Sequence, residues 1–332
     1  MLKLDEKKIR KGKPIGLPYQ GSKKKISKKI VEIIKQNFGT DKPIYDIFGG
    51  GGAITAECML NGLEVHYNDL DKDITDMFQR VISQDREWIK TLIISREEFY
   101  KIKNKADKTV DDNIKLLVNS FGNNKNGYLY SKEWSDMKYN LAIEIIDKHD
   151  VFSGYKKTDT YKNAKTRLQQ LERLQQLERL QQLERLQPTN LSYEAFYDIE
   201  DAIFYLDPPY ENAEGYIRTI ARYPNKEEYQ RIRNQLLKMP TGSELVIDDA
   251  VYFLGQHSNN KNRMYVRDVK CAFDSQPFYD WAFEMSKKNI VLISSYEIND
   301  PRFEVVYEFP SARSTMQNGG PGKRTEKLFM VV

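Results

Sequence analysis

Four short apolar runs punctuate the chain, and each is closed by turn-forming residues or preceded by a helix-like stretch. Ile44-Tyr45-Asp46-Ile47-Phe48 enters Gly49-Gly50-Gly51-Gly52, and Leu63-Glu64-Val65-His66-Tyr67 enters Asn68-Asp69-Leu70-Asp71. Ala202-Ile203-Phe204-Tyr205-Leu206 enters Asp207-Pro208-Pro209-Tyr210, and Ile290-Val291-Leu292-Ile293 follows Ser286-Lys287-Lys288-Asn289. Runs of this length bounded by breakers predict buried strands. Between them, Ile26, Ile30, Ile33 and Ile34, then Trp88, Ile89, Leu92 and Ile93, then Ile114, Leu117, Val118 and Phe121 recur at helical spacing and predict helices with core-facing stripes. Ala56 to Leu60 and Glu227 to Leu237 also read as helix, and Glu244 to Ile247 as strand. The alternation is that of an α/β fold.

One stretch departs from this style. Arg-Leu-Gln-Gln-Leu-Glu recurs in tandem over 167–187, placing Leu168, Leu171, Leu174, Leu177, Leu180, Leu183 and Leu186 three apart. The residue types favour helix. At about 3.6 residues per turn a spacing of three slips by roughly 60° each time, so the leucines circle the helix instead of forming a coiled-coil seam. A helix of ~30 Å is expected, either gripped by its own domain or pairing between molecules, and ended by Pro188. The exactness of the repeat also fits a tandem repeat in the coding DNA.

At 332 residues the chain has room for an α/β core and an accessory domain. A net charge of only +4 means that a polyanionic partner would be met by local basic patches rather than a global field. Cys58, Cys271, His66, His149 and His257 are scattered without metal-ligand spacing, so no metal site is expected. The start, Met1-Leu2-Lys3-Leu4-Asp5, has no apolar leader, and no run approaches the ~18 residues of a membrane span. A cytoplasmic location, without membrane contact, is the expectation.

The chemistry concentrates at the strand ends. Two prolines stop the Ala202–Leu206 strand at a stiff turn and remove two amide donors, leaving a carboxylate, free carbonyls and the Tyr210 ring at one tip. An exocyclic amine offers the two N–H donors that such a tip lacks, on a flat ring able to stack. The glycine turn lets backbone approach a nucleotide-like ligand. It lacks both the Gly-Lys-Ser/Thr ending of a P-loop and the G-x-G-x-x-G pattern. About twenty residues on, Asp69 or Asp71 ends the second strand where an α/β sheet grips ribose hydroxyls, the other being a helix N-cap. Gly21-Ser22-Lys23 opens a helix with amides and a cation aimed at an anion, or is a solvated basic arm. Asn119 to Tyr130 interleaves amides, lysine and tyrosines: a surface for phosphates and base edges, or a polar turn between helices.

Taken together, Asp207-Pro208-Pro209-Tyr210, Asp46-Ile47-Phe48-Gly49-Gly50-Gly51-Gly52 and the strand-tip acid resemble the Dam-type, alpha-group DNA N6-adenine methyltransferases, of the phage or restriction-modification kind. The resemblance implies a Rossmann-like S-adenosylmethionine methyltransferase sheet with an inserted, mostly helical target-recognition domain. It implies S-adenosylmethionine as cofactor and double-stranded DNA as partner. Asp207 and the Pro208 carbonyl, with Pro209 fixing the turn, would hold the adenine amine, and Tyr210 would stack on the flipped base. Tyr19, Gly21 and Lys23 match the N-terminal cofactor element, Lys23 taking the methionine carboxylate; Ser22 stands where the family has a second Gly. Asp46, Phe48, Gly49, Gly50, Gly52 and Asp69 would form the rest of the cofactor site, with Tyr193 beside the cofactor adenine although Ser192 replaces the usual Asp. Asn123, Asn124, Lys125 and Tyr128, and the closing-loop residues Arg313, Lys323 and Arg324, are the DNA-contact candidates.

The resemblance places the catalytic domain in 1–80 and 188–332 and the recognition domain in 81–187, ending in the repeat. Residues 217–272 stand out as an insertion, with Lys261, Arg263 and Arg267 as further DNA contacts or simply as an extension of the fold. A cognate restriction endonuclease and self-association through 168–187 complete the expected partners. Cytosine N4 or RNA methylation, or a non-catalytic DNA-binding regulator on the same fold, are the rival readings.

Overall fold

The computed structural model describes residues 1–19, 22–209, 226–247, 250–254, 264–268, 273–310 and 325–331. Gly21, Tyr210, Lys261, Arg263, Arg313, Lys323 and Arg324 lie outside them. In chain order the elements are α1 (Ser27–Phe38), β1 (Ile44–Asp46), α2 (Ala53–Leu60), β2 (Val65–Tyr67), α3 (Lys72–Ile82), α4 (Arg86–Lys90), α5 (Arg96–Lys103), α6 (Val110–Asn119) and α7 (Lys132–Lys148). They continue with α8 (Asp159–Ala164), α9 (Gln169–Leu180), β3 (Ile203–Leu206), α10 (Lys226–Leu236), β4 (Glu244–Ile247), β5 (Ala250–Leu254) and β6 (Met264–Asp268). Last come α11 (Ser275–Ser286), β7 (Ile290–Ser295), β8 (Phe303–Glu308) and β9 (Lys327–Val331).

Two compact units result, 1–208 with 281–332, and 209–280. The first holds a six-stranded sheet in the order β2-β1-β3-β7-β9-β8. β2, β1, β3 and β7 are parallel, and β9 runs antiparallel to both β7 and β8. The four apolar runs are thus neighbouring parallel strands; every residue of the central β3 is buried, as its continuous hydrophobicity requires, whereas the edge strand β2 keeps His66 exposed. This is a mostly parallel α/β sheet with an antiparallel edge, the architecture that the resemblance implies. The unit 209–280 has its own small antiparallel sheet, β4-β5-β6, with Ile232 and Leu236 of α10 in an apolar cluster that includes Met264, Leu245 and Tyr252. Strands β5 and β6 had no counterpart in the sequence pattern.

Helices α3, α4, α6, α7 and α9 join Ile15, Leu17, Ala56 and Tyr67 in one apolar cluster, while Phe99 and Ile102 of α5 pack in a second one with Tyr128 and Tyr130. Helix starts here are fixed by local caps: Asp71, Asp85, Ser95 and Thr158 side chains each accept a first-turn amide, and Thr109 with Asp112 forms a capping box. The repeat is buried within this chain. Leu168, Leu171, Leu174, Leu177 and Leu180 are wholly buried, Leu183 and Leu186 nearly so, as a helix that is apolar all round demands. α9 has 12 residues, about 18 Å by the 1.5 Å rise, so it is shorter than the repeat. It tightens at Gln181–Leu183 into a 3-10 turn, where a spacing of three does form one stripe. Phe121, expected in the stripe of Ile114 and Leu117, is instead 61% exposed. α6 ends at Asn119 and Ser120 turns extended, which breaks the helical period before Phe121.

Candidate active site at the carboxyl ends of the parallel strands

Strand register brings the candidate residues together. Asp46 of β1 is level with Tyr67 of β2 and Tyr205 of β3. The glycine turn, Asp69 and Asp207 therefore leave three adjacent parallel strands at the same height. Neighbouring strands are about 4.8 Å apart, so one small ligand spans all three tips. The chain leaves β1 toward β2 on one side and returns to β3 on the other, the topological switch at which α/β sheets form a crevice.

The turn after β1 has room for no side chains. A Cβ on Gly49 would lie 2.3 Å from the Tyr67 ring, and one on Gly52 2.2 Å from the Phe78 ring; Gly52 also sits at φ 68°. Those two rings stack at 4.7 Å between centroids. The turn is pinned from β2: Tyr67 donates its hydroxyl to the Gly50 carbonyl at 2.8 Å, and the Gly50 amide donates to Asp69 Oδ2 at 2.8 Å. Tyr19 packs over Gly50 and Gly51, and the Leu17 amide donates to the Gly51 carbonyl at 2.8 Å. Beneath the turn, Asp46 accepts from the Thr55 amide and hydroxyl at 3.1 and 2.6 Å. Burial pushes its carboxyl up to about 7 against those hydrogen bonds.

Of the two acids after β2, one caps a helix. Asp71 is the N-cap of α3, accepting from the Asp73 amide. Asp69 accepts one amide on each oxygen, from Gly50 and from Asp71, and each oxygen keeps a lone pair for a further donor. Burial pushes Asp69 up to about 6, opposed by those amides. Between Tyr67 and Asp69, Asn68 is 2% exposed and fully used. Its amide nitrogen donates to the Ile47 and Leu191 carbonyls, and its oxygen accepts from the Leu191 amide and the Thr189 hydroxyl. Asn68 thereby holds the segment leading to Tyr193 against the glycine turn. The Tyr193 ring lies 6.4 Å from Phe48 and 5.1 Å from Trp281, centroid to centroid. The sequence reading overlooked Asn68, because its value lies in contacts 121 and 123 residues away.

At the tip of β3, the Lys23 ammonium donates to Asp207 Oδ1 at 2.8 Å and stands 3.7 Å from Glu326 Oε1. Burial pulls Lys23 down, but the Asp207 and Glu326 carboxylates outweigh it and hold the ammonium above its ordinary value. Lys23 thus meets the carboxylate at the β3 tip, a partner the sequence reading did not name. Pro208, next in the chain, is buried. The next residue, Lys24, turns the other way, donating to the Leu17 carbonyl and Gln176 Oε1, each at 3.0 Å. Burial, with Arg173 and Arg179 near, lowers it to about 8.

The stretch 119–130 forms a turn closed by a bridge between Ser120 and Tyr128. Asn123 and Lys125 adopt left-handed backbone, φ 57° and 61°, and Asn124 is exposed, its side chain capping the Asn126 amide. Tyr128 points inward, 5% exposed, its hydroxyl donating to the Ile94 carbonyl. Among the described residues no group of three His, Cys, Asp or Glu is placed to hold a metal ion, and no helix is long and apolar enough to cross a membrane.

These residues suit the cofactor that the resemblance implies. Asp69 offers acceptors for ribose hydroxyls, Phe48 and Tyr193 offer rings for a purine, and the glycine turn keeps side chains out of the space between them. No curated protein matches the chain. The family model for D12 class N6 adenine-specific DNA methyltransferases matches residues 19–270, from Tyr19 through the glycine turn and the β3 tip and on across 217–270. That decides for adenine N6 over cytosine N4, RNA and a binding-only regulator. The chain belongs to the D12 class N6 adenine-specific DNA methyltransferases, enzymes that transfer a methyl group from S-adenosylmethionine to adenine in DNA.

Proposed function

We propose that methyl transfer takes place at the β3 tip, with Asp207 and the Pro208 carbonyl accepting the two N–H groups of the target amine. The observation that carries this reading is the common height of the glycine turn, Asp69 and Asp207 on three adjacent parallel strands. The N6 lone pair is delocalised into the purine, so acceptors that hold both hydrogens make the nitrogen more tetrahedral and nucleophilic. When bound, the cofactor would supply an electrophilic methyl to the amine that Asp207 and the Pro208 carbonyl hold, and the methylated nitrogen would give up its extra proton to solvent water. Asp69 would hold the ribose, Phe48 and Tyr193 the adenine ring, and Tyr19 with Gly49, Gly50 and Gly52 the remaining wall. Tyr210, next in the motif, would stack on the adenine once it has left the duplex.

The helical region 81–187 serves in this reading as the recognition domain, with the exposed Asn124 and the neighbouring Asn123 and Lys125 as base or phosphate contacts. Tyr128 supports that turn from inside. A genomic DNA substrate makes the cytoplasm the compartment, and a restriction endonuclease reading the same site is the partner such an enzyme would protect against. The repeat leucines are covered within one chain, so they support no dimer in this reading. Replacing Asp207 with Ala should abolish transfer of labelled methyl groups while the cofactor still binds. Normal turnover by that variant refutes the assignment.

A further inference from the structure

Both stems of the turn 119–130 are held by one element, the repeat helix α9. At the entry, α6 stops at Asn119 and Ser120 turns extended, so the last carbonyls of α6 lack intrahelical partners. The Arg173 guanidinium donates through Nη1 to two carbonyls there, those of Val118 and Ser120. Gln170 Nε2 reaches both stems: it donates to Asn119 Oδ1 at the entry and to the Tyr128 hydroxyl, at 3.2 Å, at the exit. The Leu129 amide donates to the Asn119 carbonyl and the Phe121 amide to the Gly127 carbonyl, each at 2.8 Å. The stems are thereby tied to each other, and they close a loop over 122–126.

This arrangement opposes stability. Gln170, Asn119 and Ser120 are wholly buried, and Arg173 is 8% exposed. Among the described residues no carboxylate pairs with Arg173, and burial pulls it down to about 10. The glutamates of the repeat are engaged elsewhere, Glu172 with Lys156 and Arg167, and Glu178 with Arg86. A buried cation whose hydrogen-bond partners are carbonyls alone carries a large desolvation penalty, which its place at a helix C-terminus offsets in part. The same two residue types one unit further on make neither contact. Gln176 accepts from Lys24, and Arg179 Nε is buried without a partner. What singles out Gln170 and Arg173 is the turn they hold.

We propose that Arg173 and Gln170 are positioning residues for target discrimination: they fix the two stems of the 119–130 turn from beneath, so that Asn123, Asn124 and Lys125 meet DNA in a single arrangement. The inference rests on the reading of that turn as a DNA contact. It gives two residues of the repeat a part in specificity, exerted through the backbone of the turn and not by touching a base.

Methyl transfer by the full chain on a pool of duplexes of randomised sequence tests it, with modified adenines mapped by single-molecule sequencing. The readout is the ratio of methylation at the preferred site to that at sites differing from it by one base pair. A variant that merely folds less well lowers both together and leaves the ratio intact. From a wild-type ratio of about 10- to 100-fold per position, Arg173→Met should lower it about three- to tenfold at the positions the turn reads, and Gln170→Met about two- to fivefold. The S-adenosylmethionine Kd should stay within about twofold in both. Arg173→Lys, which keeps the charge and a donor, should restore part of the ratio. Gln170→Met carries the test if Arg173→Met does not fold. Ratios unchanged at every position in these variants, or a fall matched by an equal loss of cofactor affinity, overturn the proposal. Wild-type ratios and DNA KM in both Asn124→Ala and Lys125→Ala would instead overturn the reading of the turn beneath it.

Discussion

The proposed contact of Asp69 with the cofactor ribose carries a pH signature. Burial raises its carboxyl to about 6 in the folded protein, and only the ionised form offers acceptors on both oxygens to hydroxyl donors. Affinity should therefore follow the ionised fraction. With a value near 6 that fraction is about 0.97 at pH 7.5 and about 0.09 at pH 5, so S-adenosylmethionine should bind about tenfold more weakly at pH 5, with proton release on binding below pH 6. Asp69→Asn removes the titration and one charge-assisted hydrogen bond worth about 1.5–3 kcal/mol, a loss of roughly 10- to 150-fold at pH 7.5. The new amide also presents a donor to one of the Gly50 and Asp71 amides that Asp69 now accepts from. Titration calorimetry at constant ionic strength between pH 5 and 7.5, on both proteins, measures all of this. Wild-type affinity that is flat with pH, or a slope retained undiminished in Asp69→Asn, would place the ribose elsewhere.

The turn and the carboxyl beneath it make two further predictions. Gly52→Ala sets a Cβ 2.2 Å from the Phe78 ring at a backbone φ of 68°; strain and overpacking together should cost about 2–4 kcal/mol in urea unfolding. Asp46 titrates at about 7 when folded against an ordinary 3.8, so the folded state binds the extra proton. Its contribution to stability is fully present below about pH 4 and lost as pH rises through 7, on the order of 4 kcal/mol in all; Asp46→Asn should flatten that part of the stability profile.

What the sequence disclosed is what local pattern can disclose. Apolar runs stopped by Gly-Gly, Asn-Asp or Pro-Pro announce strand ends without knowledge of the fold, and the parallel sheet then sets those ends side by side. Contacts made across the chain left no such trace. Lys23 meets Asp207 at a separation of 184 residues, and nothing in a lysine-rich arm distinguishes Lys23, turned to the β3 tip, from Lys24, turned to Leu17 and Gln176. Tyr128 read as part of a polar surface loop because its neighbours are polar; its hydroxyl finds the Ile94 carbonyl and an amide of Gln170, so its ring is core. Phe121 erred the opposite way, its helical spacing continuing past the point where α6 stops.

The repeat shows how identical sequence acquires different work. Six residues advance an α-helix by about 600°, so the two units that α9 spans are turned about 120° from one another. Equivalent side chains accordingly meet different neighbours. Gln170 reaches Asn119 and Tyr128, whereas Gln176 accepts from Lys24. Glu172 pairs with Lys156 and Arg167, and Glu178 with Arg86. Arg173 donates to the Val118 and Ser120 carbonyls at the end of α6, satisfying groups that the helix end would leave orphaned. Leucine at every third position spreads apolar contact over about half of the circumference of α9, wider than a coiled-coil seam. Through Lys24 the central unit is tied to Leu17, whose amide holds the Gly51 carbonyl. The most monotonous part of the chain thereby braces the turn on which the cofactor reading depends.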